Sequence, residues 1–576
     1  MIFSFHLYQK SGIDVYKDRN RHKLMMYLEG EWEMNHFRYA VNTLFNHVNP
    51  YTGLAWKDEP AIAWVEYYNE QAMGLLKGQM RNLLRTDSEV RERLLMFWRA
   101  WLAKKYGKPM PDAEIPLTAG AENERSANDF ALFWMERAEA VAKRCGEIIR
   151  RTGYRGLVTN YSASKNLGHS AARWTCAQVV DGHAYFNHPT HWMQRGSVVG
   201  ANSSIEENTG YWKEANSTKL AGRPFLVGEY NHCFWNPFRY ESGMVFGAYS
   251  ALQGYGALEI HAFPILLNET KMERISCFSV GNSPLLRASQ FLTACLFQRG
   301  DVKTSPHLLS VMVPNEFLMR DSHAEKAVSA SQASLALLAG YGLLFPERAA
   351  AQGTLAHPKA DLVIPISGSA EIQAQDWFSN LAGSGSGSFS LPHIVKEMKR
   401  KGILSPQNIS DPEKGIFQSD TEELILRSGE KRMSILTPRT EAVCMTAGGV
   451  ADLNTFSVRR NSADSCIAFC SVDGMPLSQS RRIVILYLTE EANSGMTLAA
   501  NRATLLSIGS APALARTGIL ELTIRRQGSW KLHALGINGS RREEVALSTS
   551  PDGLFLHLDT AALRYGPTPF FELIQE

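Results

Sequence analysis

Two widely separated glutamates stand in the same local setting. Residues 58–71, DEPAIAWVEYYNEQ, carry a short apolar run at 61–65 behind Pro60 and end in Asn69-Glu70. Residues 224–231, PFLVGEYN, carry a second apolar run that ends in Glu229. Short apolar runs without alternation are what a parallel strand covered on both faces requires. Where such strands close into a barrel, their C-terminal ends build the reactive face, so a carboxylate just past a strand is a candidate catalyst. The competing reading of either glutamate alone is the start of a solvated loop. Two in matched settings favour a pair flanking one bond, one carboxyl neutral as general acid and the other ionised as nucleophile.

An Asn-Glu after one strand and a lone glutamate after a later one resemble the retaining glycoside hydrolases of the large (β/α)8 clan that contains cellulases, mannanases and β-galactosidases. In that clan the Asn-Glu follows strand four and the second glutamate follows strand seven. Between them, His183-x-Tyr185 in VVDGHAYF (179–186) resembles the strand-six pattern that sets an imidazole and a phenol beside the nucleophile in cellulase-like members. The resemblance covers roughly the first half of the chain. It implies an α/β fold of the TIM-barrel type and cleavage of O-glycosidic bonds by retaining double displacement.

The same resemblance distributes the roles. Glu229 is the nucleophile, held charged and aimed by a hydrogen bond from Tyr185. Glu70 is the acid/base, keeping its proton beside a negative Glu229 until the glycosyl-enzyme forms. Asn69 offers its amide to the sugar 2-hydroxyl, a contact that strengthens in the transition state. Retention sets the two carboxyl groups about 5 to 5.5 Å apart, and inversion sets them wider. His6 resembles the histidine that follows strand three. Trp235 and Phe263, with Trp192 and Phe234, offer ring faces to a sugar, against the competing reading that most tryptophans in such a chain are core. The substrate implied is an oligo- or polysaccharide, with no cofactor and no metal. His183, His188 and His191 lack the i, i+4 spacing of a helical zinc motif, and no cysteine or acid cluster completes a shell for them.

The elements that must position these residues follow from periodicity. Counting 61–65 as strand four makes 1–7 strand three, 157–161 strand five, 179–186 strand six, 225–230 strand seven and 257–263 strand eight. That is six strands where a closed barrel needs eight. The expectation is a barrel lacking its first two β/α units, through a truncated gene or a mis-called start. The alternative is a strand hidden before Glu70. Residues 1–7 read as a strand rather than a signal peptide, which leaves secretion open. Helical periodicity fills 32–48, 89–106 and 130–151. The Pro-, Gly- and acid-rich stretch at 109–129 is either a substrate-shaping insertion or a plain connector.

After a helix over 283–297, strands at 307–313 and 360–366 with a helical run over 327–344 form a small α/β unit. The Gly-Ser run 383–388 is a flexible turn rather than a phosphate loop, since no Gly-Lys-Ser/Thr follows it. The run 396–401, KEMKRK, reads as a solvated helix face. From 421 onward the period switches to two, in short strands between Gly, Asp, Asn and Ser turns, as in a β-sandwich. The expected domains are 1–300 for the barrel, 301–415 for the connecting unit and 416–576 for the sandwich, whose role is packing or, more sharply, carbohydrate binding.

A chain of 576 residues exceeds what one core usually supports. Its net charge of +3 is spread along the sequence and gives no basis for a nucleic-acid or membrane-surface partner. No apolar run is long enough to span a bilayer. Its 8 cysteines form no CxxC pair, and Cys466 and Cys470 read as buried thiols. Two departures stand out. Strand eight of the clan ends in a tryptophan where this chain has Ile260-His261-Ala262-Phe263-Pro264, and the arginine that follows the clan's strand two cannot be seen in this sequence. Two rival functions follow, a carbohydrate-binding barrel that no longer catalyses, and a barrel lyase or aldolase. The latter needs a lysine at a strand mouth, and the strands named above carry none.

Overall fold

A computed structural model describes residues 19–71, 78–116, 124–261, 274–320, 323–351, 360–366 and 390–576. The expected strand at 1–7 and the Gly-Ser run lie outside the described residues.

Five short strands, β1 (Trp64–Glu66), β2 (Leu157–Thr159), β3 (Val180–Phe186), β4 (Phe225–His232) and β5 (Ala257–Ile260), run parallel in chain order. β1 pairs with β2, and β3, β4 and β5 form a second sheet. Hydrogen bonds from Gln178 N to Val158 O (3.3 Å) and from His183 N to Ser162 O (3.1 Å) join the two sheets between β2 and β3. Parallel neighbours cannot be linked by a tight turn, and the crossovers run through helices Glu124–Arg151, Leu167–Cys176, Gly210–Asn216 and Ser242–Leu252. The result is an arc of βα units whose strand ends all point one way. The first strand lies three residues later than its apolar run suggests. Its partner β2 begins opposite Trp64, and Ala63 contributes only a carbonyl, to Leu157 N at 3.0 Å.

The connecting unit differs from expectation. The run over 327–344 is not one helix: Ala330–Ala333 and Ser334–Leu337 are single turns, and Gly340–Leu344 is a strand. β6 (Leu308–Met312) lies between that strand, β7, and β8 (Leu362–Pro365), all parallel. All five residues of β7 are buried, and an apolar stretch buried on every side shows no period by which helix and strand could be told apart.

The C-terminal region holds antiparallel sheets of nine and five strands. Alternation along the nine-stranded sheet explains its position. Val443, Ile467, Phe469 and Ile485 face the five-stranded sheet. Ala442, Cys444, Cys466, Ala468 and Cys470 face the other way, into one core shared with Tyr230 of β4 and Leu309 of β6. The sheet is thus buried on both faces, and Cys466 and Cys470 are interface thiols. Between the sandwich strands the chain leaves as an arm. Glu491–Ser494 pairs with Ser510–Ala515 and, further out, Thr497–Leu498 pairs with Leu505–Ser507. Nothing in the period-two reading marked this arm.

Candidate active site

The ends of β1, β3 and β4 converge. β3 brings Asp181, His183 and Tyr185 to one face by simple alternation. β4 reaches that face only through an irregularity: Val227 pairs with Gly182 and Glu229 with His183, so Gly228 is an unpaired bulge residue. A bulge re-aims the side chain that follows it, and this one turns Glu229 toward His183. Gly228 is required there, because a Cβ at this position would lie 2.7 Å from Asp181 Oδ2, while its own N–H donates to Asp181 Oδ1 at 2.8 Å. β1 ends in the buried Glu66. The chain continues through buried Tyr67 and Tyr68 to Glu70, whose backbone is left-handed with φ +49°. The Lys23 ammonium donates to the Glu70 carbonyl. A non-glycine residue is held in that region only when its surroundings over-determine it.

Four side chains meet above the strands. Tyr185 OH donates to Glu229 Oε2 at 2.5 Å. His183 Nδ1 lies 3.1 Å from Glu70 Oε1 and 3.6 Å from Glu229 Oε2. One oxygen of Glu70 and one of Glu229 are within 4.8 Å of each other. Glu70 and Glu229 keep 29% and 15% of their side-chain surface open, whereas His183 keeps 2%. The imidazole therefore forms the floor and the two carboxylates form the rim.

Beneath His183 lies a second layer. Asp181 Oδ2 is 3.9 Å from His183 Nε2, and Glu66 Oε1 accepts from Ser162 N at 3.2 Å. Arg173, also buried, donates to the carbonyls of Tyr161 and Ser164. Burial by itself would lower the His183 imidazole, but the hydrogen bond to Glu70 and the charges of Asp181, Glu229 and Glu66 override it and push it up to about 9. Burial raises Glu66 to about 7 against the pull of His183, and raises Asp181 as well. Burial and the adjacent Glu229 raise the Tyr185 phenol, which stays a donor. The trios Glu66–Asp181–His183 and Glu70–His183–Glu229 each have ligand-type atoms close enough to share a cation. When protonated, His183 supplies positive charge to both trios.

No family model and no curated protein matches the chain. Among solved structures, the β-galactosidase from Rahnella sp. R3 is similar at 12% identity and TM-score 0.34, over 59% of this chain and 50% of that one. The β-galactosidase from the haloarchaeon Halorubrum lacusprofundi aligns at 11% identity and TM-score 0.35, over 84% of this chain and 81% of that one. The endo-1,4-β-mannanase from Rhizomucor miehei aligns at 15% and 0.26, over 46% and 65%. The chain spans about half the length of the Rahnella enzyme. Likenesses at these scores decide neither fold nor activity for this chain.

Of the residues singled out in the sequence, Glu70, Glu229, His183 and Tyr185 come together. Asn69 precedes Glu70 and has a buried Oδ1 without a hydrogen-bond partner among the described residues. Trp235 is a correction: it is 2% exposed, its indole N–H donates to Ala503 O at 2.8 Å, and it packs in a small core with no ring face open to a sugar. Phe234 is buried in the same core. His6 and Phe263 lie outside the described residues. Sequence reasoning missed Glu66, Asp181 and Arg173. Asp181 was within reach, since alternation puts it on the face of His183 and Tyr185. It also missed Lys165, which follows β2 and whose ammonium donates to His183 O at 2.6 Å.

Proposed function

We propose that the chain is a retaining O-glycoside hydrolase acting on an oligo- or polysaccharide, with Glu229 as nucleophile and Glu70 as acid/base, on a (β/α)8-type scaffold backed by the C-terminal sandwich. The observation that carries this reading is that two carboxylates from distant strand ends bring one oxygen each to within 4.8 Å, near enough to flank one glycosidic bond, as a retaining pair does with its carboxyl groups about 5–5.5 Å apart. Tyr185 fixes one oxygen of Glu229 by its hydrogen bond, which leaves the other oxygen for the anomeric carbon. Glu70 and His183 share a hydrogen bond, and the proton delivered to the leaving oxygen belongs to that pair. Once the glycosyl-enzyme forms, Glu229 carries no charge, and Glu70 takes a proton from water in the second step. When protonated, His183 balances the two carboxylates electrostatically.

The test is a screen of aryl β-glycosides of different sugars. Glu229→Ala abolishes turnover, and added azide restores it as a glycosyl azide of inverted anomeric configuration. Glu70→Ala slows substrates with poor leaving groups most. Full activity in Glu229→Ala removes its assigned role. A second reading attaches to Lys165, whose ammonium burial lowers to about 8, a value suited to Schiff-base chemistry. It predicts covalent trapping of a carbonyl substrate on Lys165 by borohydride, which the hydrolase reading excludes.

A further inference from the structure

The arm reaches from the sandwich to the rim of the candidate site. At its tip Thr504 forms an antiparallel bridge with Val198. Gly196 N and Val199 N donate to Leu505 O (2.8 Å) and Ala503 O (3.0 Å), and Leu505 N donates to Ser197 O (2.8 Å). Leu505 is fully buried in a small core with Val199, Trp235, Ile275 and Phe278, and Tyr185 packs against that core from the catalytic side. The arm's Met496, Leu498 and Ile508 pack against it too. One apolar cluster therefore has an arm residue at its centre and the partner of Glu229 at its edge.

The loop that the tip grips carries Trp192, which is 56% exposed with φ +50°. Such a backbone is an outlier for a bulky residue, and burial does not account for it. The indole stands edge-on to Phe278, with centroids 5.4 Å apart and planes at 76°, and lies 6.1 Å from His188. Phe278 is in turn 5.3 Å from Tyr185. The exposed ring is thus two ring contacts from Tyr185, whose hydroxyl holds Glu229. A half-exposed aromatic in that position presents a flat apolar face of the kind that sugar C–H faces cover.

We propose that Trp192, backed by Phe278 and His188, is a subsite for a sugar ring beyond the one bonded to Glu229, and that the 491–515 arm is its buttress, which makes the C-terminal domain part of substrate recognition. The proposal rests on the hydrolase reading above and sharpens it: the substrate is an oligosaccharide long enough to occupy both places.

The experiment compares kcat/KM on β-1,4-linked tetraoses of glucose, mannose and galactose with kcat/KM on the p-nitrophenyl β-glycosides of the same sugars. In Trp192→Ala the tetraose-to-aryl-glycoside ratio is expected to fall roughly 10- to 100-fold, the worth of burying one large apolar side chain. Calorimetry of the best tetraose on Glu229→Ala, with and without Trp192→Ala, is expected to show the same loss in affinity. Leu505→Ala is expected to lower the ratio in the same direction. Ile508→Ala, at the half-buried edge of the cluster, is read in the same way should Leu505→Ala fail to fold. An unchanged ratio and affinity in Trp192→Ala overturn the subsite, even where aryl glycosides are still cleaved through Glu229 and the hydrolase reading stands. An unchanged ratio in a folded arm variant overturns the buttress. A wild-type chain that cleaves none of these glycosides overturns both readings together.

Discussion

Gly228→Ala tests the route by which β4 aims Glu229. The added Cβ would meet Asp181 Oδ2 at 2.7 Å, Oδ1 at 3.1 Å and Cγ at 3.3 Å, about 0.7 Å inside an ordinary contact. Asp181 is fully buried and its Oδ1 is tied to the Gly228 N–H, so the carboxylate cannot swing into water. The strand must move instead, and Glu229 is the next residue along it. A misplacement of that order at a reacting group costs about 10- to 100-fold in kcat/KM, or ~1.4–2.7 kcal/mol of transition-state stabilisation. Overpacking a buried site adds a stability cost of about 1–3 kcal/mol. The assay is kcat/KM on the best aryl glycoside beside a thermal melt, with Gly146→Ala as control. Gly146 lies on the helix Glu124–Arg151, and no atom stands within 4 Å of its added Cβ. That control keeps full activity and gains up to about 1 kcal/mol of stability from helix propensity. Wild-type kcat/KM in a normally stable Gly228→Ala would refute the bulge as the device that sets Glu229.

Two further predictions concern stability. His183, raised from 6.5 to about 9, and Glu66, raised from 4.5 to about 7, both bind protons more tightly in the folded state. Their contribution is complete below the unfolded values and is lost as pH rises through about 7 for Glu66 and about 9 for His183. The thermal midpoint therefore declines from pH 6.5 to about 8, above which the ammonium groups of Lys165, Lys213 and Lys219, each lowered by burial to about 8, begin to oppose the trend, and His183→Asn flattens that decline. A wild-type midpoint that climbs over this interval contradicts the assignment. Glu491, at the base of the arm, is paired with Arg239 inside the protein, with side chains 4% and 1% exposed, and also accepts from Ser283 Oγ at 2.6 Å. Glu491→Gln leaves a buried guanidinium without its counter-charge and is expected to cost about 3–5 kcal/mol in chemical denaturation. A change below about 1 kcal/mol would mean that the carbonyls of His232 and Ser279, to which Arg239 also donates at 2.7 and 3.1 Å, satisfy the guanidinium without Glu491.

Much of the fold was legible because it is written in local periods. The apolar runs before Glu70 and Glu229 mark strands, and the helices read over 89–106 and 130–151 follow from a 3.6-residue repeat, while the cap at Asp87, whose side chain accepts from Val90 N, and the earlier start of the second helix at Glu124 came from the structure. Alternation along 465–471 separates Ile467 and Phe469 from Cys466 and Cys470, which face different cores. Legibility failed where burial is complete on all sides, as in Gly340–Leu344, and where a residue's surroundings come from elsewhere in the chain. Trp235 looked like a ring at a strand mouth, but Ala503, far along the chain, takes its indole N–H.

Residue order alone determined which carboxylates, imidazole and phenol are present, and that each follows or occupies a short apolar strand. Alternation is a property of the backbone and needs no partner to be read. Only the tertiary structure decided that Glu70 and Glu229 lie within 4.8 Å of each other, that a bulge at Gly228 turns one of them inward, and that an arm from the sandwich closes the wall behind Tyr185. Those distances depend on how sheets and helices pack across long sequence separations, and contacts between remote segments leave no period in the chain that makes them.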